Sequence, residues 1–118
     1  MEFESVQDSG KRQDFTTGAH RDTNTGKGRY DLLPTRAIRR IAQHFENGAV
    51  KYDARNWEKG IPLSRYLDSA LRHTFKFLEG QKDEDHLAAG IWNLMCLLET
   101  QERIELGILP KELDDLPK

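Results

Sequence analysis

The 118-residue sequence has little that would build a disulfide framework, a membrane span or a large apolar core. It contains one cysteine, Cys96, which excludes an internal disulfide and, within an apolar run, is typical of a small buried side chain. Hydrophobic residues make up 36% of the chain, and no run approaches the length of a transmembrane helix. The opening residues, MEFESVQDSGKRQ, lack the apolar segment of a signal peptide. We therefore expect a cytoplasmic protein that contacts no membrane.

Several motifs of nucleotide and metal enzymes are also missing. The sequence has no GxxxxGK[S/T] loop, no HExxH, no paired CxxC and no GxSxG. Its net charge of −2 gives no general attraction to nucleic acid polymers. Residues 1–60 carry eleven Lys/Arg against nine Asp/Glu, whereas residues 61–118 carry seven against eleven. This asymmetry suits either a site where cations face carboxylates or a mixed solvated surface.

Helical periodicity dominates the middle of the chain. Pro34 suits the first turn of a helix, and apolar residues then recur at helical spacing as far as Asn47–Gly48 or one turn beyond. A second helix is predicted from about Ser64 to Glu79, where Gly80 stops it. Because the sequence contains no convincing strand, we expect an all-α fold, a small antiparallel helical bundle.

The third predicted helix lies in the segment DEDHLAAGIWNLMCLLETQERIELG, with Asp83 as its N-cap. It is apolar almost all round from Leu87 to Leu98, interrupted only by Asn93, which predicts burial in the middle of a bundle or at a dimer seam. A polar chain with short helices often completes its core with another copy, so a homo-oligomer is expected. The expected organisation is a flexible N-terminal arm, a helical domain and a short C-terminal helix or tail: 1–17, 18–107 and 108–118.

The segment GAHRDTNTGKGRYDLLP combines glycines with cations. Gly26 and Gly28 allow backbone N–H groups to approach an anion, and Lys27 and Arg29 can form charge-assisted hydrogen bonds to phosphate. Arg21 is a further candidate. A flexible basic arm explains the same composition equally well.

The segment KYDARNWEKGIP, which begins at Lys51, is too polar for a strand and too aromatic for a plain linker. Tyr52 and Trp57 are expected to pack. Trp57, with Arg55 and Asn56, forms either a stacking wall for a nucleobase or a plug beneath a loop.

His86 and Asn93 lie seven residues apart on the third predicted helix and therefore share a face. Polar side chains on an apolar helix need a partner or a ligand, and bonding across the bundle to His73 or to backbone is the better supported alternative. Glu84 and Asp85 either hold a divalent metal through oxygen ligands or simply suit the start of a helix.

Four segments together resemble one known family: TGAHRDTNTGKGRYDLLP, HFENGAVKYDARNWEKGIP, SALRHTFKFLEG and DEDHLAAGIWNLMCLLE. They are similar to dATP/dGTP diphosphohydrolases, found mainly in phages and prophages and related to MazG-like all-α nucleotide pyrophosphohydrolases. The resemblance covers about Phe15 to Glu105. It implies an oligomeric all-α protein in the cytoplasm of an infected or lysogenic bacterial cell. It also implies a small-molecule nucleotide, and Mg²⁺ or Mn²⁺ that activates water to release a nucleoside monophosphate and pyrophosphate.

The resemblance also implies roles for individual residues in cleaving purine (deoxy)nucleoside triphosphates. Glu46, Asp85 and His86 would be catalytic, and Glu46, Glu84 and Asp85 would hold the metal. The residues expected to bind the nucleotide are Arg21, Lys27, Arg29, Asp31, Lys51, Tyr52, Arg55, Asn56, Trp57, His73 and Asn93.

The carboxylate pattern departs from that of MazG-like enzymes, which hold metal with an ExxE pair on one helix and an ExxD pair on another. Here Glu46 is followed at the third position by Ala49, and alignment on Trp92 places the second pair on His86 and Ala89. The departure supports a second function, a non-catalytic phage protein that sequesters a cyclic or ADP-ribose-type immune signalling nucleotide, acting against host defence. A third alternative is a structural or regulatory helical oligomer without a small-molecule ligand.

Overall fold

The computed structural model describes residues 5–118, so the first four residues of the predicted arm lie outside the described residues. The chain divides into an N-terminal unit that ends at Leu33 and a helical unit, Pro34–Lys118. The described part of the chain is mostly helical, which confirms the predicted helices, but it also contains a small two-stranded sheet. The elements are β1 (Arg12–Asp14), β2 (His20–Asp22), α1 (Thr35–Lys51), α2 (Leu63–Leu78) and α3 (His86–Glu105).

The sheet is an antiparallel hairpin in the N-terminal unit, with Gln13 of β1 opposite Arg21 of β2. Both strands consist of polar residues, so no apolar alternation marks them in the sequence. The Ser9 hydroxyl and the Lys27 ammonium group both bind the Asp22 carboxylate, and these bonds lower the pKa of Asp22 to about 2. The expectation of a chain without strands is therefore wrong, because polar contacts rather than apolar packing hold this hairpin.

In the helical unit, α3 packs against both α1 and α2, as expected of the central helix. Gly90 lies where α2 and α3 come close together. A Cβ atom at Gly90 would lie 3.3 Å from Oγ1 of Thr74 and 3.6 Å from the carbonyl oxygen of Ala70. Glycine therefore permits the close packing of these two helices. The buried apolar side chains are few: Ile41, Leu63, Tyr66, Ala70, Ala88, Ala89 and Cys96.

The helix boundaries agree with the sequence pattern except at the start of α3. Asp85, not Asp83, is the N-cap, and its carboxylate accepts the backbone N–H of Ala88 at 3.1 Å. The Asp83 carboxylate instead accepts a hydrogen bond from Nε2 of His86 at 2.7 Å. The predicted N-cap is wrong because consecutive acidic residues offer equivalent caps, and His86 engages the first of them.

The sequence predicts that α3 is buried on several sides, but in the single chain one apolar side of α3 is exposed. Four apolar residues that share one side of the helix remain exposed, with Leu98 58% and Leu94 49% exposed. We call this surface the α3 apolar face; its members are Ile91, Leu94, Met95 and Leu98. Among the described residues, no helix combines the length and the hydropathy needed to cross a lipid bilayer.

Candidate functional site

A cavity of about 930 Å³ lies in the helical unit and is lined by residues from all three helices. This volume falls within the range of small-molecule sites in proteins. Its wall also includes the segment that joins α1 to α2 and the residues just before α3. The cavity brings together nine of the residues that the sequence nominated: Lys51, Tyr52, Arg55, Asn56, Trp57, His73, Glu84, Asp85 and Asn93.

Four cationic side chains line this main cavity, namely Lys51, Arg55, Arg65 and Arg72. Arg55 and Arg72 are paired with neighbouring carboxylates, at 2.6 and 2.9 Å. Lys51 and Arg65 form no ion pair with any residue in the described range 5–118. Their positive charge is therefore available to an anionic ligand.

Aromatic rings cluster around Trp92 on the cavity wall. The ring centroids of His44, Phe45 and Tyr66 lie 5.6, 5.7 and 6.4 Å from that of Trp92. The Nε1–H of Trp92 is buried and has no hydrogen-bond acceptor among the described residues. An unpaired buried donor costs about 1–3 kcal/mol, so an acceptor supplied by a ligand would be favourable.

Trp57 is packed against protein groups. The Phe45 ring packs against it in a T-shaped arrangement, with the ring centroids 6.2 Å apart, and the Arg103 guanidinium is 5.3 Å from the Trp57 ring centroid. The Tyr66 hydroxyl donates to the Trp57 carbonyl oxygen at 3.3 Å. These contacts support the alternative in which Trp57 plugs the base of its loop.

The three carboxylates nominated as metal ligands are not brought together. The Arg40 guanidinium donates to both oxygens of Asp85, at 2.6 and 2.5 Å, and these bonds lower the pKa of Asp85 to about 2. Glu46 accepts a hydrogen bond from Gln43 at 3.0 Å and lines a separate cavity of about 360 Å³. Of these three carboxylates, Glu84 and the engaged Asp85 line the main cavity, and Glu46 does not. This arrangement does not fit the oxygen-ligand site expected for Mg²⁺.

A different cluster lies near the start of α3. The His86 side chain is completely buried, and its Nδ1 is 3.0 Å from Nδ1 of His73. Oε1 of Glu84 is 3.8 Å from the same His73 atom. Burial lowers the pKa of His73, which keeps its imidazole neutral at pH 7. The contact of His86 with His73 crosses between α3 and α2, as the bonding alternative expects, whereas Asn93 donates to the backbone carbonyl of Ala89 in its own helix at 2.8 Å.

The N-terminal unit contains the other nominated nucleotide-binding residues. The Lys27 ammonium group lies 2.9 Å from the Asp22 carboxylate, and Arg29 donates to both oxygens of Asp31, at 2.9 and 2.8 Å. Arg21 is exposed on β2. Exposed ion pairs of this kind contribute little stability, so these cations can exchange their carboxylates for phosphate.

Reasoning from the sequence missed the α2 wall of the main cavity. This wall is formed by Arg65, Asp68, Ser69 and Arg72. Their spacing of three and four residues places them on one side of a helix. That polar stripe was the available signal, although charged stripes on helices usually face only solvent. His44, which also lines the cavity, has its pKa lowered by burial.

The chain matches a known protein family over most of its length. A family model described as dATP/dGTP diphosphohydrolase, N-terminal, matches residues 17–107. The match includes every nominated site residue and every residue of the main cavity wall except Asp115. No curated protein and no solved structure matches the chain.

Proposed function

The chain belongs to the dATP/dGTP diphosphohydrolase family, and from this we propose that it binds a purine deoxynucleoside triphosphate and hydrolyses it to the monophosphate and pyrophosphate. The observation that carries the proposal is the main cavity. It has a volume of about 930 Å³, an aromatic cluster on its wall, and two cations, Lys51 and Arg65, that form no ion pair within residues 5–118. A cavity of this size and polarity suits a small-molecule nucleotide.

In this proposal, Lys51 and Arg65 bind the triphosphate through charge-assisted hydrogen bonds. Arg55 and Arg72 add to them by exchanging carboxylate partners for phosphate oxygens. That exchange costs little, because exposed ion pairs contribute roughly 0–1 kcal/mol. Within the N-terminal unit taken by itself, Arg21, Lys27 and Arg29 remain proposed phosphate-binding residues, with Asp31 as the partner that Arg29 releases.

Base and sugar recognition is assigned to the uncharged polar groups of the cavity wall. Asn56 and Asn93 provide amide donors and acceptors, and Tyr52 provides an exposed ring and hydroxyl. The unpaired Nε1–H of Trp92 favours a ligand that brings an acceptor close to it. Side-chain amides can form hydrogen bonds with the polar atoms at the edge of a purine, and these bonds would distinguish one base from another.

The reaction needs a group that accepts a proton from the attacking water. His44 lines the cavity, and burial lowers its pKa, so a neutral imidazole is available at pH 7. A divalent ion, as the family implies, would neutralise phosphate charge. Because Glu46 and Asp85 do not converge on one point, no step is assigned to such an ion at these carboxylates.

A coupled assay tests this function. The chain is incubated with Mn²⁺ and each of the four deoxynucleoside triphosphates, with and without inorganic pyrophosphatase. We expect orthophosphate only when the pyrophosphatase is present, and faster turnover of dATP and dGTP than of dCTP and dTTP. Direct release of orthophosphate, or no turnover of any nucleotide, would contradict the proposal.

A second candidate is a non-catalytic protein that sequesters a cyclic or ADP-ribose-type signalling nucleotide. The observation that favours it is the engagement of Asp85 by Arg40, with Glu46 at a separate cavity. This arrangement keeps a cationic pocket in which Asp85 is held by Arg40 and Glu46 is not part of the wall. Mass spectrometry of ligand recovered from the protein separates the two functions. Intact ligand after prolonged incubation supports sequestration, and cleaved ligand supports hydrolysis.

We also propose that the chain forms a homo-oligomer through the α3 apolar face. The buried core of a single chain contains few large side chains, whereas Leu94 and Leu98 on α3 remain about half exposed. Pairing this face with a second copy would remove its apolar side chains from water.

A further inference from the structure

Three potential metal-ligand groups converge beside the main cavity. One ligand atom from each of His73, Glu84 and His86 lies within 4.8 Å of the other two. The two imidazole Nδ1 atoms are 3.0 Å apart, and Oε1 of Glu84 is 3.8 Å from Nδ1 of His73. Ligand atoms about 2.0–2.1 Å from a tetrahedral ion lie about 3.4 Å from one another. The two observed distances bracket this value, and the ligand atoms of His86 and Glu84 also lie within 4.8 Å of each other, so the three groups are close enough to share one ion.

The hydrogen bond between His86 and Asp83 determines which His86 nitrogen is free. Nε2 of His86 is 2.7 Å from Oδ1 of Asp83. An ionised carboxylate can only accept, so Nε2 carries the proton and Nδ1 of the neutral ring presents a lone pair to His73. A carboxylate bound to the far nitrogen is also the usual partner of a metal-ligating histidine, because it fixes the tautomer and orients the ring.

His73 can change its tautomer to complete the site. Two lone pairs 3.0 Å apart would repel, so without an ion Nδ1–H of His73 donates to Nδ1 of His86. When an ion binds, the His73 proton moves to Nε2, and both Nδ1 lone pairs then face the ion. The number of protons on the two rings does not change.

The types of ligand atom select the ion. Two imidazole nitrogens and one carboxylate suit Zn²⁺ and neighbouring late first-row ions, whereas Mg²⁺ prefers oxygen ligands and water. We propose that His73, Glu84 and His86 bind a divalent ion of the Zn²⁺ type. Three protein ligands leave a fourth position open. His73 and Glu84 also line the main cavity, so a water or an anionic ligand group in the cavity can occupy that position.

Titration of the full chain with Co²⁺, a spectroscopic substitute for Zn²⁺, tests the site. The protein is first treated with a chelator, and no nucleotide is added, so the result does not depend on the proposed hydrolysis. We expect one equivalent of Co²⁺ to bind and to give visible d–d absorption of tetrahedral intensity. Zn²⁺ should displace it, and Mg²⁺ in large excess should not.

Variants identify the ligands. Glu84→Gln changes an exposed residue and should retain the fold while weakening Zn²⁺ binding. His73→Ala should remove measurable Co²⁺ absorption. Asp83→Asn should weaken Zn²⁺ binding about 10–100-fold by releasing the His86 ring from its orienting carboxylate. His20→Ala is the matched control, because His20 is an exposed histidine on β2. It should bind Co²⁺ like the wild-type chain.

Circular dichroism of each variant verifies that the helices are intact. The proposal is overturned if the folded wild-type chain takes up no stoichiometric Co²⁺. It is equally overturned if Zn²⁺ binds with equal affinity to the wild-type and the His73→Ala chains. A loss of binding in His20→Ala would assign the ion to another site and would also overturn it.

Discussion

The guanidinium group of Arg40 binds both carboxylate oxygens of Asp85, at 2.6 and 2.5 Å, and so connects α1 to the start of α3. The same carboxylate accepts the N–H of Ala88 and caps α3. Asp85 therefore has a structural function at the cavity wall. Three donors from the protein already engage this carboxylate, which leaves about one of its four lone-pair positions for a metal ion.

The cap and the ion pair of Asp85 can be separated by two substitutions. Asp85→Ala removes both and should lower the free energy of unfolding by about 1–2 kcal/mol, the usual cost of losing an N-cap. Asp85→Asn retains a good N-cap and should cost less than about 1 kcal/mol, because the ion pair is partly exposed. Urea unfolding of both variants measures the difference. An equal decrease in the free energy of unfolding in both variants would show that the N-cap contributes nothing to stability.

The unpaired cations of the main cavity should determine nucleotide affinity. Lys51→Ala and Arg65→Ala should each weaken binding of a non-hydrolysable dGTP analogue roughly 10-fold or more, since hydrogen bonds to charged groups contribute about 1.5–3 kcal/mol. Isothermal titration calorimetry measures the affinity. Arg39→Ala, an exposed position of α1 outside the cavity wall, is the control and should bind normally. A similar loss in that control would point to non-specific charge attraction.

The raised pKa values of two buried groups, the Cys96 thiol and the Tyr66 hydroxyl, predict a loss of stability at alkaline pH. Burial raises the pKa of the Cys96 thiol from 9.0 to about 12. Burial also raises the pKa of the Tyr66 hydroxyl from 10.0 to about 12. In the unfolded chain these groups ionise first, so the unfolded chain binds fewer protons between the two pKa values. The free energy of unfolding should therefore fall as the pH rises from about 9 towards 12.

Substitutions of Cys96 and Tyr66 test which of these groups causes the loss of stability at alkaline pH. Cys96→Ala should make the decline shallower by up to about 1.4 kcal/mol per pH unit, and Tyr66→Phe should do the same from about pH 10. Urea unfolding at a series of pH values measures the slope. A slope that neither substitution changes would show that other groups cause the decline.

The α3 apolar face should hold two copies together. Leu94→Glu combined with Leu98→Glu places charges on this face and should convert an oligomer to a monomer in size-exclusion chromatography with light scattering. Val50→Glu is the matched control, because Val50 is an 84% exposed apolar residue on α1 outside this face. It should leave the mass unchanged. A wild-type chain that is monomeric at high concentration would contradict the proposal.

The helices were predictable because their apolar spacing is regular. α2 begins and ends within one residue of the predicted bounds, and α1 ends at Lys51, one turn beyond Asn47–Gly48, as the longer alternative allowed. The hairpin was not predictable, since its polar strands have no apolar alternation. The left-handed backbone of Arg55, with φ of 66°, also has no sequence signal, because such conformations usually belong to glycine.

The part of the main cavity wall that could be predicted from the sequence is the segment with an unusual local composition. The segment from Lys51 to Trp57 was nominated because its aromatic and polar residues suited neither strand nor linker, and it does line the cavity. Arg65 and Arg72 belong to a polar stripe that resembles an ordinary solvent-facing side of a helix, so the packing of the three helices is needed to place them at the cavity. The proximity of His73 and His86 depends on the register of α2 against α3, which spacing within one helix cannot supply.

Phosphorus NMR of dGTP incubated with the chain and Mn²⁺, with the metal removed by chelator before each spectrum, tests the central claim most directly. The proposed function predicts that the three triphosphate resonances disappear together and are replaced by those of dGMP and pyrophosphate, with the Lys51→Ala/Arg65→Ala double variant much slower. Unchanged dGTP, formation of dGDP and orthophosphate, or full activity in the double variant would contradict it.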